Sequence, residues 1–493
     1  MAESVISTGI SGLDHILRGG LPAQRLFLLQ GDPGVGKTTL ALQFLIEGAQ
    51  RREPALYVTF SESGAEVEDI ARAHGWSLGG LHFFRAEDVH RSLEGMRAGT
   101  VFHPSETELT AVTKSLWALM DEHKPRRMVF DSLSELRLIA GDQLRYRRQL
   151  LELKRRAQAI GCTVIVVDDR TGGGDDMQLH SLAHGVISMQ RHAKGYGATK
   201  RCLEVAKMRG VGFRTGWHDF EITTGGIRVY PRLVAAEHAQ VGGGVLSSGV
   251  PEMDALLGGG IDRGSGTLLV GPAGSGKSTV AMRFAVSAAQ RGEKTHMYLF
   301  EESPSMLRTR AKGVGMNMEA LEDKGVISLR TIDATEISPG QFAHHVMRAV
   351  EQEGVRLIVI DSLNGYMNAM PDERHLALHL HELLVYTAAR GVALLLIVSQ
   401  SGMMGPAMTQ PLDASYLADT VLLFRFYEHA GEVRKALSVT KRRAGGHEPT
   451  IRPFSICPPD AIRLGEPLRN FRGVLSGTPV VVGQENGKAE RPG

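Results

Sequence analysis

The chain has 493 residues, too many for one hydrophobic core and enough for two or three domains. Charged residues make up 22% and hydrophobic ones 42%, an ordinary globular balance, and a net charge of +2 argues against nucleic acid or a membrane surface as partner. Met1-Ala2-Glu3-Ser4 does not open a secretory signal, no apolar run reaches spanning length, and Cys162, Cys202 and Cys457 are too scattered for a zinc site or a disulfide framework, so a reducing cytoplasm is expected.

In chain order, the first predicted strand covers residues 26–30 and runs into Gly31-Asp32-Pro33-Gly34-Val35-Gly36-Lys37-Thr38, after which a helix begins. This fits G-x-x-x-x-G-K-[ST], and the strand before and helix after separate a phosphate-binding loop from a chance match. Gly34 and Gly36 let backbone N–H groups wrap the phosphates, and Lys37 reaches the β- and γ-phosphates. The Thr38 hydroxyl would hold Mg²⁺, with Thr39 completing the nucleotide-binding set. Residues 56–60 form a short β-rich run followed by Ser61-Glu62. Residues 128–131 end a strand in Asp131, and residues 163–167 make a continuous apolar strand. Arg145, Arg147, Arg148, Lys154, Arg155 and Arg156 are the strongest basic run. Leu150, Leu151 and Leu153 between them suit a helix with a charged outer face better than a DNA groove. Lys207-Met208-Arg209-Gly210 then puts two cations on one side of a strand.

The order now repeats. Sliding the chain by 240 positions lays Ser7, Gly9, Asp14, Gly19 and Gly20 on Ser247, Gly249, Asp254, Gly259 and Gly260 without a gap. The second loop is Gly271-Pro272-Ala273-Gly274-Ser275-Gly276-Lys277-Ser278, with Gly274, Gly276, Lys277, Ser278 and Thr279 as its nucleotide set. Residues 297–300, 357–361 and 393–398 match the earlier strands, and Lys441-Arg442-Arg443 the earlier cations. The period is domain-sized, so this is a duplicated domain. Unbroken apolar strands between amphipathic helices predict α/β halves with mostly parallel sheets covered on both faces. The expected domains are 1–232 and 247–479, with a linker over 233–246 and a short flexible tail at 480–493.

Hydrolysis needs a Mg²⁺ carboxylate and a group that orients water. Asp131 and Asp361 each end an apolar strand and are the expected metal acids, a role favoured over a helix N-cap by the loops upstream. The base candidates follow the next strand: Glu301-Glu302 in the second half, Ser61-Glu62 in the first. A serine is no proton acceptor of matched pKa, so the second half is expected to hydrolyse or transfer phosphate competently and the first to be slower or to lean on Glu62.

The combination resembles the KaiC family within the RecA-like superfamily. The resemblance rests on Ser7-Thr8-Gly9 and Ser247-Ser248-Gly249, the paired loops, Asp131-Ser132-Leu133 and Asp361-Ser362-Leu363, the Lys207–Arg209 cations, and Leu468-Arg469-Asn470-Phe471-Arg472 before Ser476-Gly477-Thr478-Pro479. It implies two tandem RecA-like domains in an ATP-bridged double-ring homohexamer. It also implies that Lys207, Arg209, Lys441 and Arg443 reach the γ-phosphate of the adjacent protomer, and that Kai-type proteins are partners. In that family the second domain phosphorylates itself on a Ser-Thr pair. Here Ser415 holds the serine place and Tyr416 replaces the threonine, so the resemblance implies Ser415 as phosphoacceptor, with Glu301 as base. A phenol does not take a threonine's in-line position without rearrangement.

Two other functions stay open. A RecA/RadA-like nucleic-acid-dependent ATPase should carry a DNA-binding loop or extra domain, and the chain shows no zinc ribbon or strongly basic patch. An ATP-gated scaffold without autokinase activity would assemble without turnover, which Ser61 hints at for the first half.

Overall fold

The computed structural model describes residues 4–60, 62–85, 104–169, 177–192, 197–234, 243–367, 373–400, 417–458, 462–475 and 480–481. Contacts divide the chain into two units, 1–232 and 233–493. In the first unit, nine described strands form one sheet. They are β1 (Leu26–Gly31), β2 (Ala55–Thr59), β3 (Leu81–Arg85), β4 (Arg127–Asp131), β5 (Thr163–Asp168), β6 (Gly185–His192), β7 (Lys200–Met208), β8 (His218–Thr223) and β9 (Gly226–Tyr230). Their order is 3-2-4-5-1-6-7-8-9, parallel from β3 to β6 and antiparallel from β6 to β9.

The second unit repeats this topology. Its strands are β10 (Gly266–Gly271), β11 (Thr295–Leu299), β12 (Ile327–Thr331), β13 (Leu357–Asp361), β14 (Ala393–Ser399), β15 (Thr420–His429), β16 (Glu432–Arg442), β17 (Arg452–Ser455) and β18 (Arg463–Leu464). The order is 12-11-13-14-10-15-16-17-18, again parallel to β15 and antiparallel beyond it. The chain thus forms two tandem RecA-like α/β domains, each a mostly parallel sheet flanked by helices. The antiparallel extension past β6 and β15 was not legible as such, because only its basic ends stand out in the sequence.

Strand periodicity sorts each central strand between two cores. Phe27 and Leu29 of β1 join Val129 of β4 in one apolar cluster, which the helix Lys37–Gln50 closes with Leu40, Ala41, Phe44 and Leu45. Leu26 and Leu28 join Met128 and Phe130 in the other, closed by Tyr146, Leu150, Leu153 and Ala157 of the helix Gln143–Ala159. That helix is the basic run read from the sequence. Its Leu151 is exposed, and Glu152 binds Arg155 and Arg156 at 2.8 and 2.9 Å, so it is a covering helix with a charged outer face. Among the described residues no helix is long and apolar enough to cross a membrane.

Each unit enters its sheet through the Ser-x-Gly segment. The Ser7 hydroxyl and Thr8 N–H donate to Asp14 at 2.7 and 2.8 Å, and the Ser247 hydroxyl and Ser248 N–H donate to Asp254 at 2.5 and 2.8 Å. Of the segment expected as a linker, Leu233 is buried with Leu268 and Val270, and Val245–Leu246 pairs with Ile261–Asp262, both in the second unit.

The units differ beneath this entry. Arg127 of β4 is buried and donates to Glu53 Oε2 at 2.6 Å, Ser7 O at 2.7 Å and Phe44 O at 2.9 Å, with its guanidinium 4.8 Å from the Phe44 ring centre. A Cβ on Gly48 would lie 2.5 Å from Arg127 Cδ, so this approach requires glycine. In the second unit Leu357 stands at the Arg127 register and Ala288 at the Gly48 position.

Arg127→Leu alone therefore strands three polar partners and costs about 3–5 kcal/mol, the range for a broken buried pair. Gly48→Ala with Arg127→Leu copies the second unit and is expected to cost less than the sum of the two single changes. Denaturant unfolding followed by tryptophan fluorescence checks this, because Trp76, Trp117 and Trp217 all lie in the first unit. Additive losses would refute the coupling.

Candidate functional site

Both phosphate loops leave the last residue of the central strand and turn into a helix at the lysine. Gly34 and Gly274 are exposed on the loop, while Thr39 and Thr279 are buried behind it. Gly36 and Gly276 cap the two helices at φ 113° and 104°, and a Cβ on either would meet Ile222 Cδ1 or Phe454 Cζ at 2.6 Å. Only glycine meets both conditions, the left-handed backbone and the close approach. Each lysine bends over its own loop. Lys37 Nζ donates to Gly31 O at 2.8 Å and Asp32 O at 2.9 Å, and Lys277 Nζ donates to Gly271 O at 2.9 Å and Pro272 O at 2.7 Å. Lys37 also pairs with Asp169 at 2.8 Å. Burial holds the Lys277 ammonium down to about 8.

Parallel register then delivers the acids. Thr59 lies opposite Asp131, and Leu299 opposite Asp361. In the first unit the Thr38 hydroxyl donates to Asp131 Oδ2 at 2.9 Å and lies 3.4 Å from Glu62 Oε1. The Tyr57 hydroxyl reaches Glu62 Oε2 at 2.9 Å and Asp131 Oδ2 at 3.1 Å. Burial, then the nearby Glu62 charge, pushes Asp131 up to about 6. Burial likewise raises Glu62 and Tyr57.

The second unit is wired differently. Met297 occupies the Tyr57 position of the repeat. Glu302 is held by Arg310 at 2.7 Å, although burial still raises its pKa. Burial also raises Asp361, partly offset by the Ser278 hydroxyl. Asp361 Oδ2 is sealed from solvent without a hydrogen-bond partner. A buried anionic oxygen beside a hydroxyl suits a hard divalent cation, so Ser278 and Asp361 fit Mg²⁺, as do Thr38 and Asp131.

The two cation pairs are equivalent in register. Lys207 faces Val186 across β6 and β7, Lys441 faces Val421 across β15 and β16, and each ladder shifts register just past that pair. Backbone N–H groups of Arg209 and Arg443 donate to His184 O at 3.0 Å and Asp419 O at 2.9 Å. Between the cations, Met208 is buried and Arg442 binds Asp262 at 2.9 Å. The Lys207 ammonium donates to the carbonyls of His180 and Ala183, and Arg209 donates to Ser181 O at 2.9 Å. Arg443 pairs with Asp419 at 3.2 Å. Burial, then Arg209, lowers the Lys207 pKa.

Ser61, Ser415, Tyr416 and residues 476–479 lie outside the described residues. Sequence reading missed Tyr57, Asp169 and Arg310. A polar ring inside an apolar strand, replaced by methionine in the repeat, was the available signal for Tyr57. Arg310 falls on Ile70 in the same alignment.

Because Lys277 titrates near pH 8, ATP binding at the second site is expected to take up a proton as pH rises past 8, since the phosphates restore the lysine's charge. Calorimetry in buffers of different ionisation heat measures this. Lys277→Arg should remove the uptake, and an unchanged uptake in that variant would contradict it.

A family model described as "ATPase: KaiC" matches the chain twice, over residues 6–234 and 246–469. The circadian clock oscillator protein KaiC of Acaryochloris marina is 25% identical over 489 residues, covering 97% of this chain and 91% of the relative. The circadian clock protein KaiC3 of a Synechocystis species is 27% identical, with 97% and 95% covered. KaiC of Synechococcus elongatus is 28% identical over 493 residues, with 97% and 92% covered. With one match on each of the two units that carry a phosphate loop and a strand-end acid, the chain belongs to the KaiC family of ATPases.

Proposed function

We propose that this ATPase works as a double-ring homohexamer bridged by ATP, hydrolyses ATP in both units, and transfers phosphate to Ser415 from the second. The observation that carries the reading is the strand-end acid beside each P-loop: Thr38 donates to the buried Asp131 at 2.9 Å, and burial raises Asp361, partly offset by the Ser278 hydroxyl, with its Oδ2 sealed from solvent. Thr38 and Asp131, and Ser278 and Asp361, would hold Mg²⁺, which when bound would supply positive charge to offset that of the phosphates. Lys37 and Lys277 leave their loop carbonyls for the β- and γ-phosphates. Glu302 is engaged by Arg310, which supports Glu301 as the base that receives the proton of water or of the Ser415 hydroxyl. Glu62 takes this role in the first unit. Lys207 and Lys441 at the ends of β7 and β16, and Arg209 and Arg443 just past them, serve the neighbouring protomer, stabilising charge on the transferred phosphoryl group. The similarity to circadian clock proteins supports a timing or signalling output in the cytoplasm, read by Kai-type partners.

Peptide mass spectrometry after incubation with Mg-ATP should find phosphate on Ser415, absent in Lys277→Ala. ATP turnover with no phosphate on residues 413–420 would refute the autokinase. Arg443→Ala and Lys277→Ala should each lose second-site turnover by about 10²–10³-fold. Mixed, they should recover part of it, because one supplies the loop and the other the cation. Lack of recovery would place Arg443 in its own subunit's site. Salt-dependent binding of single-stranded DNA with stimulated turnover would favour the nucleic-acid motor instead.

A further inference from the structure

The two units place glutamates at equivalent positions, 62 and 302, yet bind them differently. Glu302 is paired with Arg310, and its neighbour Glu301 is left as the second acid. The first unit has serine in place of that second acid and Ile70 in place of the arginine. Its Glu62 instead closes a ring with Thr38, Asp131 and Tyr57, at 3.4, 2.9, 3.1 and 2.9 Å around the ring. Glu62 is also fixed through its backbone, its N–H donating to Thr59 Oγ1 at 3.0 Å.

Tyr57 is fully buried in β2. A buried phenol needs a partner for its hydroxyl, and here that partner is one of two carboxylates, since a phenol has one proton to donate. Met297 fills the same place in the second unit with no donor at all. The hydroxyl is therefore dispensable for packing this strand and is present where the second acid is missing.

We infer that Tyr57 is a positioning residue that holds Glu62 at the P-loop of the first unit, so that one glutamate does there what Glu301 does in the second. The inference rests on reading Glu62 as the base. In the step it serves, a water oxygen bonds to the γ-phosphorus as the bridging P–O bond breaks and ADP leaves with the electron pair. The water's proton passes to the Glu62 carboxylate. Tyr57 acts through Glu62, to which its hydroxyl lies at 2.9 Å, and is given no part in the proton transfer itself.

The test uses the full chain carrying Lys277→Ala, so that turnover reports the first site. Tyr57→Phe removes only the hydroxyl, and Tyr57→Met copies the second unit. Both should lower kcat about tenfold, the weight of one hydrogen bond to a charged group, with KM within about twofold. Glu62→Gln should lower kcat by about 10²-fold or more. Adding Ser61→Glu to Tyr57→Phe should return kcat toward the parent value, which a purely structural defect would not allow. Unchanged kcat in both Tyr57 variants, with Glu62→Gln inactive, would overturn the inference and leave the base in place. An active Glu62→Gln would overturn the underlying reading. A rise in KM with kcat unchanged, or a loss that Ser61→Glu does not relieve, would reduce Tyr57 to a packing residue.

Discussion

Parallel pairing in register is the constraint on which both nucleotide sites depend. It ends β1, β2, β4 and β5 at one edge of the sheet, and β10, β11, β13 and β14 at one edge of the other. The helix after each P-loop then crosses that face, packing its first turn over the ends of strands that are not neighbours in sequence. Thr38 meets Asp131 for this reason, although 93 residues separate them. A one-residue slip between β2 and β4 would turn Asp131 to the opposite face and leave the hydroxyl without its acid.

Within this shared frame the duplicated halves have moved apart in linked sets of residues. Arg127 comes with Gly48, and Leu357 with Ala288. Tyr57 comes with a lone Glu62, and Met297 with Glu301, Glu302 and Arg310. Each set is consistent in itself, and a single exchange between halves leaves either a buried polar group unpaired or two side chains in one space. The repeat is therefore closer in backbone topology than in the side chains that tune it.

Much of this was legible before the fold was known. The P-loops are local patterns whose physics lies within eight residues. The apolar strands and their terminal acids follow from two-sided burial, and the repeat of 240 positions shows the duplication. What stayed hidden depends on direction at long range. Nothing in residues 54–62 says that the Tyr57 hydroxyl faces Asp131 rather than Phe83, whose ring lies edge-on 6.0 Å away. Asp169 on Lys37 and Arg310 on Glu302 are likewise set by tertiary approach. The Lys207 and Lys441 pairs were found as motifs, but their equivalence needed the bulged ladders, because they are 234 positions apart (441 − 207) and not 240.

The way each unit anchors its entry segment has a consequence for ionic strength. Ser7 O is held from within the core by Arg127. Ser247 O accepts from the buried Ser287 hydroxyl at 3.0 Å and, from the surface side, from an exposed Arg291 that also pairs with Glu293 at 3.1 Å. Dissolved ions screen the Arg291 part of the second arrangement and scarcely reach the buried Arg127 of the first. Salt is therefore expected to weaken one of the two holds on Ser247 O, that of Arg291, and to leave the buried hold on Ser7 O nearly unchanged.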